Sequence, residues 1–124
     1  MAKDIQLNKD LGMLRIGLAV PQLRVADVDF NVSSIIDAMK EASQKNVQLL
    51  CFPEMAITGY TLGDLVQQEA LLSKTKQGLE KILAESKSRA MLVMVGMPLV
   101  VDQKLFSCAA IINSGHILGV IPKT

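Results

Sequence analysis

The chain has 124 residues, of which 50% are hydrophobic and only 3% aromatic, so it is long enough for one domain with a core of its own. Its 13 basic and 12 acidic residues leave a net charge of +1, which excludes the strongly basic surface of a nucleic-acid or anionic-membrane binder. No apolar run has the length of a membrane span and the amino terminus lacks the apolar segment of a secretory signal, so we expect a cytoplasmic protein.

The first part of the chain predicts a strand, a helix and a second strand. Residues 14–20 form a short apolar run before a proline, which is typical of a strand, and residues 47–52 form a second such run. Either Asp29 or Asn31 could cap the amino terminus of the helix between them. Two strands joined by a helix favour parallel pairing. The apolar face of the helix is indicated by residues at a 3.6-residue period: Val32, Ile35, Ile36 and Met39.

The second part of the chain predicts another helix and three strands. Residues 91–100 are apolar throughout, which is typical of a strand in the centre of a sheet. Short polar segments separate this run from two more, 105–113 and 117–121, so the last three strands are predicted to be antiparallel and joined by tight hairpins. The second helix is indicated by a further apolar stripe, which Gly78 interrupts mildly: Leu72, Leu79, Ile82 and Leu83.

This order of elements predicts an α/β fold in which a mixed sheet carries two helices on one face. The other face and at least one edge of such a sheet are left uncovered, and the last predicted strand is followed only by the residues PKT. We therefore expect the chain to be an incomplete part of a larger fold. Alternatively, the uncovered face packs on another subunit.

Two ionisable residues, Glu54 and Lys123, directly follow predicted strands, each behind a proline. Side chains at the carboxyl ends of strands meet ligands in α/β sheets. Between Phe52 and Met55, the carboxylate of Glu54 should be partly desolvated, with its pKa raised toward that of a general base. A lysine at a rigid strand end could stabilise an oxyanion. The alternatives are a loop or capping carboxylate and a surface lysine, because the side chains converge only if both strands end at one edge of the sheet.

The other chemistry-bearing residues are expected to be mainly structural. Cys51 lies among apolar residues inside a predicted strand, where its thiol should be buried, and Cys108 lies in the middle of another. His116, the only histidine, falls in a predicted turn and should be solvent-exposed. Without a CxxC pair or a histidine cluster, no metal site is predicted. Tyr60, shortly after Glu54, could either shape a substrate pocket through its hydroxyl or cover the edge of the core.

Two segments resemble the catalytic motifs of the nitrilase, or carbon-nitrogen hydrolase, superfamily. LLCFPEMAITGYTLGDL, residues 49–65, is similar to the family's segment around its catalytic glutamate, and HILGVIPKT, residues 116–124, to the segment around its catalytic lysine. The runs between them, 92–100 and 105–115, resemble the family's central strands. The resemblance covers residues 14–124 in the family's own order, and this set of separate motifs is far more specific than an isolated Pro-Glu pair.

The resemblance implies a Glu-Lys-Cys triad in a nitrilase-like αββα sandwich, of which this chain would form the amino-terminal half. Glu54 would be the general base that activates a cysteine thiol, and Lys123 would stabilise the tetrahedral intermediate. In the family the nucleophilic cysteine lies on a later strand, after the lysine. Neither Cys51 nor Cys108 matches that position, so the 124 residues alone are expected to be inactive.

Within the superfamily, three segments most resemble the amino-terminal glutaminase domain of glutamine-dependent NAD synthetases: RVADVDFN (24–31), TGYTLGDL (58–65) and GVIPKT (119–124). One departure is Ser107, where an asparagine is usual. The resemblance implies that glutamine is the substrate and that residues 1–124 form part of a glutaminase domain.

The same resemblance implies what the whole protein does. Ammonia from glutamine would pass to a carboxy-terminal synthetase domain, absent here, which uses ATP and Mg²⁺ to amidate nicotinic acid adenine dinucleotide to NAD. Family members form higher oligomers, so a homo-oligomer is expected, and no cofactor is expected in these residues. Two alternatives are another nitrilase-type amidase, or a non-catalytic α/β module that assembles through its uncovered sheet, with Glu54 and Lys123 as surface charges.

Overall fold

A computed structural model of the chain describes residues 12–59 and 69–123, and its elements follow the predicted order. Within these ranges no helix has both the length and the apolar character needed to cross a lipid bilayer. The elements are β1 (Ile16–Leu18), α1 (Val28–Gln44), β2 (Leu49–Cys51), α2 (Glu69–Ser86), β3 (Leu92–Val101), β4 (Lys104–Asn113) and β5 (His116–Pro122).

The strands in the described ranges form one mixed sheet in the sequential order β1-β2-β3-β4-β5. β1 pairs with β2, and β2 with β3, in parallel, whereas β3, β4 and β5 form an antiparallel meander. Two reversals of direction make β5 run parallel to the first three strands, so these four strands end at the same edge of the sheet. The predicted parallel unit and the two predicted hairpins are both confirmed.

β1 and β2 are shorter than the predicted runs 14–20 and 47–52. At the start of β1, the N–H of Arg15 donates to the side-chain oxygen of Gln48 at 2.9 Å rather than to a backbone carbonyl of the neighbouring strand. The side chain of Gln48 thus satisfies the N–H of Arg15, whereas the carbonyl oxygen of Arg15 accepts the backbone N–H of Gln48 at 2.8 Å. The apolar character of the sequence extends further than the regular pairing does.

The helix α1 begins directly after Asp27, whose Oδ1 accepts a hydrogen bond from the N–H of Phe30 at 3.1 Å. The prediction of Asp29 or Asn31 as the cap is therefore wrong. Asp29 lies in the first turn and pairs with two lysines of α2, and Asn31 is fully buried. Several polar residues in this segment are suitable caps, and only the backbone conformation distinguishes them.

Both helices pack on one face of the sheet and form a single core with it. Alternate residues of β3, Val93 and Val95, are fully buried, as is Ile112 of β4. α1 and α2 approach each other closely at Gly78, where a Cβ would lie 2.8 Å from Cγ2 of Val32. The glycine that interrupts the apolar stripe of α2 is thus the point at which the two helices meet. The predicted α/β fold with two helices on one face is confirmed.

The opposite face of the sheet, here called the open face, is apolar and has no element of the described ranges packed on it. Leu18 of β1 is 81% exposed and Ile121 of β5 is 57% exposed. The alternation of side chains along the paired strands assigns these residues to the open face: Ile16, Leu18, Leu49, Cys51, Leu92, Met94, Ala109, Ile111 and Ile121.

Candidate functional site

Glu54 stands in a turn that begins where β2 ends. The N–H of Phe52 donates to the carbonyl oxygen of Met94 at 2.9 Å, and the turn follows over residues 54–58. Met55 adopts a φ of 58°, in the left-handed region that residues with a side chain rarely occupy. The side chain of Glu54 is 36% exposed. The turn thus presents the carboxylate at the end of the sheet instead of burying it.

This turn lies directly against β3 because β3 has a glycine at the point of contact. A Cβ at Gly96 would lie 2.5 Å from the carbonyl oxygen of Pro53, and closer still to the backbone nitrogen of Met55. The N–H of Ile57 in turn donates to the carbonyl oxygen of Gly96 at 3.2 Å. Since β2 and β5 are not neighbours in the sheet, the turn must pass over β3 for Glu54 to approach β4 and β5. Gly96 makes this passage possible.

Lys123 directly follows β5, at the edge of the sheet where β2 also ends. Its backbone N–H donates to the carbonyl oxygen of Ser107 at 2.8 Å, which extends the pairing of β4 with β5 beyond Pro122. Its side chain is 63% exposed. Sheet register, rather than an independent loop, therefore sets the position of the Lys123 backbone.

The side chains of Glu54 and Lys123 meet, as expected from two strand ends at one edge of the sheet. Nζ of Lys123 lies 3.2 Å from Oε1 and 3.2 Å from Oε2 of Glu54. The hydroxyl of Ser107, on β4, donates a further hydrogen bond to Oε1 of Glu54 at 2.8 Å. An acid, an ammonium group and a hydroxyl from three separate segments thus form one cluster.

The pKa of Glu54 is lowered, and the prediction of a raised pKa is wrong. The hydrogen bond from Ser107 is the largest cause and the hydrogen bond from Lys123 is the second, because both donors stabilise the ionised carboxylate. Desolvation by the apolar neighbours acts in the opposite direction and is the weaker effect. Glu54 is therefore ionised at neutral pH, the form in which a carboxylate can accept a proton.

A pocket of about 350 Å³ opens beside this cluster. Cys51 and Met94 of the open face contribute apolar wall, whereas Glu54, Ser107 and Lys123 contribute the polar groups. A larger cavity of about 500 Å³ lies between β1 and α1 and includes none of these residues. An apolar pocket with a few convergent polar groups can hold a small molecule with a polar end. The cluster could accept a proton from a nucleophile and stabilise an oxyanion next to it.

Both cysteines lie in the described ranges and are free thiols. Cys51 is half-buried rather than buried as predicted, because it belongs to the open face, and its Sγ lies 3.6 Å from Sδ of Met94. Cys108 is buried, and burial raises the pKa of its thiol. A raised thiol pKa disfavours the thiolate, which is the nucleophilic form.

His116 is the first residue of β5 rather than part of the predicted turn, but its predicted exposure is confirmed. Tyr60, the third predicted site residue, lies outside the described residues. Over residues 12–59 and 69–123, no three histidine, cysteine, aspartate or glutamate side chains are grouped so that they could hold a metal ion.

The sequence does not predict the structural role of Asn31, whose side chain is hydrogen-bonded to the turn that carries Glu54. Its Nδ2 donates to the carbonyl oxygens of Arg24 (2.7 Å) and Ile57 (3.0 Å), and its Oδ1 accepts from the N–H of Arg24 at 2.7 Å. Asn31 thereby ties the start of α1 to residues 54–58. An asparagine next to the apolar stripe of a helix is a signal for such a buried polar residue, although asparagine is also common as a helix cap.

The fold is that of a carbon-nitrogen hydrolase. The chain belongs to this family, since the family model described as carbon-nitrogen hydrolase matches residues 15–123.

Within the family, the chain is similar to glutamine-dependent NAD(+) synthetases. It is 27% identical to the synthetase of Mycobacterium tuberculosis over 113 residues, which cover 91% of this chain and 17% of that protein. It is 30% identical to the synthetase of Aquifex aeolicus over 111 residues, which cover 90% of this chain and 19% of that protein. The chain thus spans less than a fifth of the length of these curated relatives.

Solved structures agree with this assignment. The crystal structure of a glutamine-dependent NAD(+) synthetase from Cytophaga hutchinsonii matches with a TM-score of 0.84 and 30% identity, over 90% of this chain and 19% of that one. An amidase of the nitrilase superfamily from Nesterenkonia matches with a TM-score of 0.79 at 22% identity, over 89% of this chain and 42% of that one. The likeness to the amidase shows a shared fold.

Proposed function

We propose that this chain is part of the glutaminase domain of a glutamine-dependent NAD synthetase, with Glu54 as general base and Lys123 as oxyanion stabiliser. The observation that carries this proposal is the ion pair, in which Nζ of Lys123 lies 3.2 Å from both carboxylate oxygens of Glu54. The membership in the carbon-nitrogen hydrolase family and the similarity to NAD(+) synthetases support the choice of reaction and substrate.

In the proposed reaction, the ionised carboxylate of Glu54 takes the proton of a cysteine thiol. The thiolate attacks the side-chain amide carbon of glutamine, and the ammonium of Lys123 stabilises the negative charge on the amide oxygen. The carbon-nitrogen bond breaks, the proton passes from Glu54 to the leaving nitrogen, and ammonia departs from a thioester. Water then hydrolyses the thioester, which releases glutamate and restores the thiol.

The nucleophilic cysteine of this proposal comes from a segment beyond these 124 residues. Cys108 is disfavoured because burial raises the pKa of its thiol, and Cys51 lies within β2 with its sulfur against that of Met94. We expect the 124 residues alone to release no glutamate from glutamine. Turnover by this chain itself would overturn the assignment of the nucleophile.

The proposal extends to the protein as a whole. The ammonia is transferred to a synthetase domain, where ATP and Mg²⁺ support the amidation of nicotinic acid adenine dinucleotide to NAD. The residues that bind ATP and Mg²⁺ would lie outside this chain. A cytoplasmic homo-oligomer is the setting that we propose for this reaction.

The test uses a protein extended through the complete carbon-nitrogen hydrolase domain, with glutamate release from glutamine as the readout. Glu54→Gln should lower kcat by about 10²- to 10⁴-fold, the range for loss of a general base. Lys123→Met should lower kcat by about 10²- to 10³-fold, the range for loss of an oxyanion donor.

Glu80→Gln and Lys104→Met are matched controls, because both residues are exposed and neither lines the pocket. Unchanged turnover in Glu54→Gln and Lys123→Met would refute the proposed roles. Turnover of other amides, but not of glutamine, would support the roles of Glu54 and Lys123 and refute glutamine as the substrate.

A further inference from the structure

Ser107 contacts both partners of the ion pair, although it is neither an acid nor a base. Its hydroxyl donates to Oε1 of Glu54 at 2.8 Å, a shorter contact than either of the two from Lys123. Its carbonyl oxygen accepts the backbone N–H of Lys123 at 2.8 Å. One residue of β4 thus holds the acid through its side chain and the lysine through its backbone.

Ser107 is better placed than Lys123 to fix the orientation of the carboxylate. It is half-buried within β4, a strand that is paired on both sides, with Pro98 of β3 opposite Ser107 itself. Its hydroxyl has a single side-chain torsion on a rigid element. The ammonium of Lys123, by contrast, is carried by a long, flexible side chain that is 63% exposed.

Ser107 and Lys123 also differ in which carboxylate oxygens of Glu54 they contact. Nζ of Lys123 lies 3.2 Å from each oxygen and so does not distinguish between them. Ser107 donates to Oε1 alone. A hydroxyl can continue to donate to Oε1 when Oε2 carries a proton, because Oε1 is then a carbonyl oxygen and remains an acceptor.

We propose that Ser107 is a positioning residue for the general base, which holds Oε1 of Glu54 so that Oε2 is the oxygen that receives the proton of the nucleophile. This inference rests on the proposed function. The lowered pKa of Glu54, for which the hydrogen bond from Ser107 is the largest cause, agrees with a carboxylate kept ionised until the proton is transferred.

The first experiment measures kinetics in the protein extended through the complete hydrolase domain. Ser107→Ala should lower kcat by about tenfold or more, the factor expected for a hydrogen bond to a charged group, while KM changes little. The acid limb of the kcat/KM profile should move to higher pH, because Glu54 loses a donor that favours its ionised form. Ser107→Thr keeps the hydroxyl and should restore both quantities. Ser88→Ala, which replaces an exposed serine, should alter neither kcat nor the acid limb.

The second experiment does not depend on turnover. Carbon-13 NMR follows the Glu54 carboxyl in the 124-residue chain, where its pKa should rise in Ser107→Ala and stay low in Ser107→Thr and Ser88→Ala. An unchanged pH profile together with an unchanged Glu54 titration in Ser107→Ala would overturn the role of Ser107 alone. Absence of glutamate release from the unsubstituted extended protein would instead refute the proposed function.

Discussion

The pair formed by Glu54 and Lys123 contributes little to the stability of the fold and is suited to chemistry. Both side chains are substantially exposed, and ion pairs in that situation are weakened by water and by salt. An acid and an ammonium group that merely stabilised the fold would not need a strained turn and a glycine contact to bring them together. We therefore expect substitutions of this pair to affect activity far more than folding.

The sign of the pKa change of Glu54 predicts how the stability of the chain depends on pH. A carboxyl whose pKa is lowered in the fold stabilises the fold above the ordinary carboxyl range, and this contribution is lost as the pH falls through the lowered pKa. The free energy of unfolding in urea should therefore be higher for the wild type than for Glu54→Gln at neutral pH. In strong acid the difference should vanish, and a difference that grew with acidity would contradict the lowered pKa.

Gly96 should be intolerant of any side chain, because the turn of Glu54 occupies the space that a Cβ would need. Gly96→Ala should lower the free energy of unfolding by about 1–3 kcal/mol, the usual cost of overpacking, and should displace Glu54. The matched control is Gly119→Ala on β5, where a Cβ would meet nothing within 4 Å. Equal urea midpoints for the two variants would show that the turn can move aside without cost.

At the residue scale, the sequence shows that Glu54 and Lys123 each follow a proline at a predicted strand end, but this placement alone leaves a loop carboxylate and a surface lysine as alternatives. Only the family resemblance implies their catalytic roles. Sequence reasoning could not predict the contact with Ser107, since that contact depends on the register of β4 against β5 and on the path of a turn over β3. The error in the direction of the Glu54 pKa has the same origin. The apolar neighbours are visible in the sequence, whereas the two hydrogen-bond donors come from distant segments.

The two helices illustrate packing at the scale of elements. Gly78 weakens α2 by its low helix propensity, yet it allows α2 to approach Val28 and Val32 of α1. A Cβ at Gly78 would lie 2.9 Å from Cγ1 of Val28 and 2.8 Å from Cγ2 of Val32, and valine side chains are too stiff to rotate away easily. Close contact between the helices therefore outweighs propensity at this position.

Gly78→Ala should consequently destabilise the chain, by about 1 kcal/mol, although alanine is the better helix former. Chemical denaturation of a double-mutant cycle with Val32→Ala provides the check, because removing the methyl groups of Val32 relieves the predicted clash. The cost of Gly78→Ala should be smaller in the Val32→Ala background. If alanine stabilises the wild-type background, the two helices have room to separate.

The helices and strands with a strong apolar pattern could be predicted from the sequence, whereas the residues at which they begin and end could not. The stripes of α1 and α2 and the apolar run of β3 reflect which faces are buried, which is a local property of the sequence. The cap at Asp27 and the start of β1 depend on individual hydrogen bonds, such as that from the N–H of Arg15 to the side chain of Gln48. These bonds are decided by backbone geometry.

At the scale of the molecule, the open face should determine how the chain behaves in solution, because it exposes large apolar side chains. Apolar patches larger than a few hundred Å² rarely remain bare on monomers, so the 124-residue chain should self-associate and bind a hydrophobic dye. Sedimentation velocity should show that Leu18→Lys combined with Ile121→Lys shifts the chain toward monomer. Val101→Lys, an exposed control at the β3–β4 turn, should not. A clean monomer with low dye binding would show that the open face does not drive association.

Because of the route of the chain between Glu54 and Lys123, the ion pair depends on the pairing of two separate parts of the sheet. The acid and the ammonium are 69 residues apart along the polypeptide, and the tight turn at Asp102 and Gln103 lies between them. A single cut at that turn would leave the two charges on different peptides, each with part of the sheet. The ion pair therefore forms only when β3 and β4 are paired. In a protein cut at this turn, its presence would show that the two fragments have associated.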